Sequence, residues 1–194
     1  MKRTFSCQVV LGALLALAGC GGGSDDSSTP ASQPESPEPT SAPTAGTRAT
    51  CNLANFEAEV LDLVNAYRAA GASCGSEGNF PGAPPLTWNA PLTQASLVHS
   101  DDMAAANFFS HTGSDGSDAG RRATAAGYIW QSVGENIAAG QPSVKVVMAG
   151  WMASPGHCAN LMQQSFRDIG VACVSGGAGN TYRTYWTMTL GLAR

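Results

Sequence analysis

The 194-residue chain has little charge: 12% of its residues are Asp, Glu, Lys or Arg, and its formal net charge is −4. It has no basic run and no interleaving of basic and aromatic residues, which argues against a nucleic-acid partner. From Cys51 to Arg194, seven Lys or Arg stand against ten Asp or Glu, a net charge of −3. That balance makes an anionic membrane surface an unsuitable dock for the domain itself. The longest apolar run, Val9 to Ala18 with Gly12 as its one break, is too short to span a membrane. Strands and helices do not alternate in βαβ fashion, so a doubly wound parallel fold is not expected. No internal repeat is visible.

The two ends of the chain differ in kind. Lys2 and Arg3 precede the apolar run, giving residues 1–19 the charge pattern of a signal peptide. The run closes in LALAGC, which resembles the lipobox of bacterial lipoproteins. That resemblance makes Cys20 an acylated mature N-terminus, with palmitate-type chains anchoring the protein on a membrane without spanning it. Gly21 rather than Asp follows the cysteine, which points to the outer membrane of a bacterial cell envelope. The competing reading is an ordinary secretory leader with Cys20 incidental. Residues 20–50 form the tether: beyond Cys20 they hold five prolines, many Ser and Thr, and no aromatic residue. Such a composition cannot bury enough apolar surface to offset the entropy of ordering. Fully extended, it reaches up to roughly 90 Å. Residues 51–194 are the expected domain.

Four cysteines remain there: Cys51, Cys74, Cys158 and Cys173. An even count in an exported domain indicates two disulfides, with three connectivities open. The short loops favour Cys51 with Cys74 and Cys158 with Cys173. A four-cysteine zinc site is the alternative, but the spacing lacks a C-x₂₋₄-C pair.

Apolar residues at helical spacing, Phe56, Val60, Leu63, Val64 and Tyr67, predict a helix that Gly71 ends. A second helix is expected from Pro91 onward, with Leu92, Ala95, His99, Met103 and Ala106 on one face. His99 therefore reads as a core or rim histidine. HTGSDGSDAG reads as a polar loop, RRATAAG as a short helix and SVGENIAAG mostly as loop. PSVKVVMAGWMAS starts a further helix, stopped by Pro155. The tail changes period: DIGVACV and YRTYWTMTLGLA predict an antiparallel hairpin. Helices first and strands late indicate an α+β or three-layer arrangement.

His111, Glu135 and His157 stand out as the candidate site. Each lies in a Gly-flanked, turn-rich stretch, and turns on a rigid scaffold commonly carry sites. Two imidazoles and a carboxylate can ligate a divalent metal or form an acid–base pair. Asn136 and Asn160 are placed to orient them, or equally to cap turns. Ser154 invites a nucleophile reading with His157 and Glu135, but it lacks the strained elbow that lifts a serine into reach.

The segments LDLVNAYRAAG, PPLTWNAPLTQAS, HSDDMAAANFFSHTGSDG, GYIWQSVGENIAAG, WMASPGHCANLM and FRDIGVACV, in this order, resemble the bacterial branch of the CAP superfamily. That superfamily comprises cysteine-rich secretory proteins, antigen 5 and pathogenesis-related class 1 proteins. The resemblance covers about residues 56 to 191 and implies an α-β-α sandwich around a small antiparallel sheet. It also implies a cleft in which His111 and His157 are the two histidines and Glu135 the acid of GEN. The second acidic position falls at Ser154, a departure that leaves only three candidate metal ligands. The implied metal is thus at most a weakly bound zinc or other divalent cation, and no cofactor is required. Two functions follow. One is a non-catalytic surface module binding a protein or a small lipid. The other is a peptidase-like hydrolase using His111, Glu135 and His157, with or without metal. The absence of a recognisable nucleophile favours the first.

Overall fold

A computed structural model describes residues 48–194. The signal sequence, the Cys20 lipidation site and the tether up to residue 47 lie outside the described residues.

The first apolar stripe forms helix α1, Phe56–Ala70, which buries Phe56, Val60 and Val64. Arg68 continues the same stripe and is fully buried. Its guanidinium donates to the carbonyls of Pro84, Leu161, Gln163 and Phe166. Burial, and secondarily Arg167, lowers its pKa to about 10. Two short strands, β1 (Ala72–Ser73) and β2 (Asn79–Phe80), close a small hairpin around a 3₁₀ turn at Gly75–Glu77. Strand β3 (Thr87–Trp88) leads into helix α2, Ala90–Ala106, where the Asn89 side chain accepts from the amide of Leu92 as N-cap. The short helix α3 spans Ala119–Ala125 and strand β4 spans Trp130–Ala139. Helices α4 (Val144–Ala153) and α5 (Pro155–Leu161) follow, then β5 (Asp168–Ser175) and β6 (Thr184–Ala193).

The main sheet has the order β3-β5-β6-β4. The expected β5–β6 hairpin is present and antiparallel, as is β6–β4, whereas the two-residue β3 joins β5 in parallel. The alternation along β6 shows why this sheet needs two helical layers. Trp186, Met188 and Leu190 pack with Phe56, Val60 and Trp151 from α1 and α4. Thr187 and Thr189 point the other way, where their hydroxyls meet Ser100 and Ser96 of α2 at 2.8 Å. A side chain at Gly170 would collide with the backbone of Leu92 and Thr93, so glycine lets α2 lie directly on the sheet. The result is the α-β-α sandwich implied by the resemblance.

SVGENIAAG is not a loop: all of it but the final Gly140 lies inside the ten-residue strand β4. Its Gly and polar residues mask a period-two pattern in which Ile137 faces Met103 and Tyr185 while Ala138 joins the opposite core. Pro155 does end α4, but it also starts α5, whose first amide would have no helical partner.

The disulfides are Cys51–Cys173 and Cys74–Cys158, with Cα separations of 5.2 and 5.5 Å. The expected pairs, Cys51–Cys74 and Cys158–Cys173, are not formed. Short loop closure favours local pairing only if the fold leaves the ends together, and here it does not. The segment around Cys51 runs beside β5, bonding both the amide and the carbonyl of Cys173. Helix α1 then carries the chain away by about 22 Å before Cys74 is reached. Cys158 sits in α5, in the layer that contacts the Cys74 turn.

Candidate functional site

The sandwich brings His111, Glu135 and His157 to one open cleft of about 500 Å³, from a loop, a strand and a helix. His111 lies in the loop after α2 and its side chain is 59% exposed. Glu135 projects from β4 toward the α2–α3 layer and its side chain is 5% exposed. His157 comes from the opposite layer, on α5.

Glu135 is the hub. His111 Nδ1 donates to its Oε1 at 2.8 Å, and Arg122 donates to its Oε2 at 2.7 Å. The Arg122 guanidinium also reaches the carbonyls of Ser117 and His111, at 2.7 and 3.0 Å. One buried cation thus ties the His111 loop to the carboxylate. Burial opposes the charge on Glu135, but the His111 hydrogen bond and the Arg122 charge outweigh it, and the carboxyl sits below its ordinary pKa. Arg122 escaped the sequence reading. The signal was an arginine on a short helix that opens on an N-capping aspartate, Asp118, just after the His111 loop.

His157 does not touch Glu135. Its backbone carbonyl accepts from Asn136 Nδ2 at 3.1 Å, and Asn160 Nδ2 donates to Asn136 Oδ1 at 3.0 Å. Asn136 thus holds the His157 backbone rather than its ring, and Asn160 holds Asn136. Gly134 makes this contact possible, because a side chain there would occupy the place of the Asn160 amide. Cys74–Cys158 crosslinks the residue next to His157. The His157 pKa is lowered, by burial first and by His111 second. Ser154 borders the same cleft. Its amide closes α4 onto Trp151, its carbonyl opens α5 at Cys158, and among the described residues no hydrogen bond joins it to His157.

His99 is both a core residue and a neighbour of the site. It is fully buried; its Nε2 bonds the Ser110 carbonyl at 2.9 Å and lies 3.9 Å from Glu135 Oε1. A carbonyl only accepts, so Nε2 carries the proton and Nδ1, which has no partner, is the bare nitrogen. Burial is the leading cause of its lowered pKa.

These shifts set a direction for acid stability. His99 and His157 have folded pKa values below that of an unfolded histidine. Below about pH 6.5 the unfolded chain therefore binds more protons, and stability falls with pH. Glu135 adds a second loss as pH falls from its ordinary range through its depressed folded pKa. Thermal melts should show Tm declining from pH 7 to pH 5, and less so in His99→Gln. A flat Tm over that interval would contradict the buried neutral state of His99.

Does this set suit a metal? Both oxygens of Glu135 are hydrogen-bonded and its side chain is 5% exposed, so it braces His111 and Arg122 rather than standing open as a third ligand. Among the described residues no group of three or more His, Cys, Asp or Glu could hold an ion. What remains is two imidazoles, with Glu135 fixing His111 so that its Nε2 is the free nitrogen.

The profile of the cysteine-rich secretory protein (CAP) family matches residues 61–190. The chain belongs to the CAP family. It is 29% identical over 153 residues to the uncharacterized protein YkwD of Bacillus subtilis, covering 79% of this chain and 54% of that protein. A second relative, the uncharacterized membrane protein YlbC of the same organism, is 29% identical over 115 residues, 59% of this chain and 30% of its own length. This CAP chain thus spans about half or less of those relatives. Among solved structures, it resembles an extracellular SCP-domain protein of Bacillus anthracis with a TM-score of 0.57 and 27% identity, covering 70% of this chain and 39% of the other. It shares its fold with an outer surface protein of Borrelia burgdorferi, TM-score 0.55 and 14% identity, covering 71% and 89%.

Proposed function

We propose that this CAP domain is a non-catalytic binding module of the bacterial cell envelope, tethered through acylated Cys20, that takes its ligand in the His111–His157 cleft. One observation carries the reading: the Glu135 carboxylate is committed on both oxygens, to His111 and to Arg122. A general base must reach its proton donor and be basic enough to take the proton; the Glu135 side chain is 5% exposed and its pKa lies below the ordinary value. The polar chemistry is spent on holding the cleft's shape. No helix among the described residues is long and apolar enough to cross a membrane. The Bacillus anthracis protein is described as extracellular, which accords with a site of action outside the cytoplasm.

Zinc serves as a probe of the two imidazoles. With His111 and His157 as the protein ligands, binding should be weak and reversible, and the protein should stay folded without it. Calorimetric titration should show that binding lost in both His111→Ala and His157→Ala. Undiminished binding in both variants would separate the two histidines and remove the shared cleft. Mass spectrometry of the protein extracted from membranes of a lipoprotein-competent bacterial host should find a diacyl or triacyl Cys20; a free N-terminus beyond residue 20 would remove the anchor.

A further inference from the structure

The cleft runs along an unpaired sheet edge. Strand β4 is the last strand of the order β3-β5-β6-β4, so only one of its sides is in the ladder. Antiparallel pairs alternate between residues that bond the neighbouring strand and residues whose amide and carbonyl point outward. Gly140 donates to the Thr184 carbonyl, which sets the alternation in the β4–β6 register. Counting back from it, Val133, Glu135, Ile137 and Ala139 direct their main-chain groups away from the sheet. The Ile137 carbonyl confirms this: it accepts from Trp151 Nε1 at 3.2 Å, outside the ladder. The outward amides of Glu135, Ile137 and Ala139, and the carbonyls of Val133, Glu135 and Ala139, have no such partner among the described residues.

The edge is open more at Glu135 and Ala139, which are half-buried, than at Ile137, which is 5% exposed. The Glu135 side chain is 5% exposed, yet the residue as a whole is only half-buried, so its exposure lies on the main chain. A second cleft of about 290 Å³ continues from the first, sharing Ser154 and His157, and follows β4 through Ile137 to Ala139. At its far end two rings stand exposed, Phe109 at 45% and Tyr182 at 37%, with centroids 5.9 Å apart. Proteins normally blunt exposed edges with lysine, proline or a bulge. From Val133 to Ala139 there is no lysine or proline, and the only register shift lies earlier, between Trp130 and Ser132.

We infer that the cleft binds an extended peptide, which adds to β4 as a further strand of the sheet. This rests on the binding-module reading and names its ligand class. Backbone hydrogen bonds to the outward groups of residues 133 to 139, the Ile137 carbonyl held by Trp151 excepted, would hold about seven residues of peptide, roughly 23 Å at strand spacing. Every second side chain would face a wall, and one apolar side chain would rest on Phe109 and Tyr182. Arg122 neutralises Glu135, so the floor presents no uncompensated carboxylate to the incoming backbone. An acyl chain fits this groove less well, since hydrocarbon leaves a row of amides and carbonyls without partners.

The test uses the purified full-length protein and a phage-displayed library of random twelve-residue peptides. Enriched peptides are synthesised with and without N-methylation at alternate amides, and titrated into wild type, Ala139→Pro and His157→Ala. Proline at 139 removes an outward amide while leaving the ladder intact, as edge strands allow; circular dichroism checks its fold. The expected result is at least tenfold weaker binding on N-methylation and in Ala139→Pro, with slowed amide exchange at Glu135 and Ala139 of the wild type. The exchange readout stands even if the proline variant fails to fold. No enrichment, or binding indifferent to N-methylation and without amide protection, overturns the inference. Binding indifferent to N-methylation but lost in His157→Ala would overturn the strand and leave the cleft as a binding site. Binding unchanged in every case would remove both.

Discussion

Replacing Arg122 with methionine is expected to destabilise the domain by about 3–5 kcal/mol, the usual cost of stranding one member of a buried ion pair. The magnitude follows from the Glu135 side chain, which is 5% exposed and has Arg122 at 2.7 Å. The carbonyls of His111 and Ser117 lose a donor at the same time. Burial, now unopposed by the guanidinium, would drive the Glu135 pKa upward, so the variant should lose part of its pH dependence below neutrality by holding a proton. Lysine should rescue only in part, because one ammonium cannot reproduce the fork that reaches three residues at once. Glu135→Gln in the Arg122→Met background should cost much less than the sum of the single changes. Urea denaturation of wild type, the three single variants and the double variant measures this, and an Arg122→Met loss below about 1 kcal/mol would mean that the pair is effectively solvated.

Removing the disulfides should cost as much or more. In the loop-entropy model, a crosslink between residues 122 apart contributes about 5 kcal/mol and one between residues 84 apart about 4.5 kcal/mol, before strain. The local pairing expected from the sequence would close much shorter loops and give roughly 3 kcal/mol each. Connectivity therefore changes both the map and the magnitude. Cys51→Ala with Cys173→Ala should release the segment that runs beside β5. Cys74→Ala with Cys158→Ala should also loosen the start of α5 and with it His157. Non-reducing peptide mapping should recover Cys51 joined to Cys173, and recovery of Cys51 joined to Cys74 would contradict the fold around the N-terminal segment.

Why the sequence spoke clearly about some residues and not others is a matter of range. Phe56, Val60 and Val64 announce α1 because helical period is a local property, and the β5–β6 hairpin is announced by its alternation for the same reason. Arg68 continues the α1 stripe and is equally buried, but its partners are four carbonyls 16 to 98 positions away. Nothing local marks it as a core residue. Strand β4 was hidden because its site residues, Gly134, Glu135 and Asn136, are chosen for contacts with Asn160, Arg122 and His157 rather than for strand propensity. His111, Glu135 and His157 were singled out by chemistry and context, and joined into one cleft by resemblance; their spacing alone could not show that they meet. Disulfide pairing failed because it depends on which layer each cysteine reaches.

The central claim is that this cleft binds and does not turn over its ligand. Its most direct test is mass-spectrometric profiling of a defined peptide library incubated with the purified protein, beside Glu135→Gln and His157→Ala. The account predicts no cleavage above the variants' background, since Glu135 is buried with a lowered pKa and, among the described residues, Ser154 makes no hydrogen bond to His157. Cleavage by the wild type that vanishes in both variants would contradict it and establish a hydrolase.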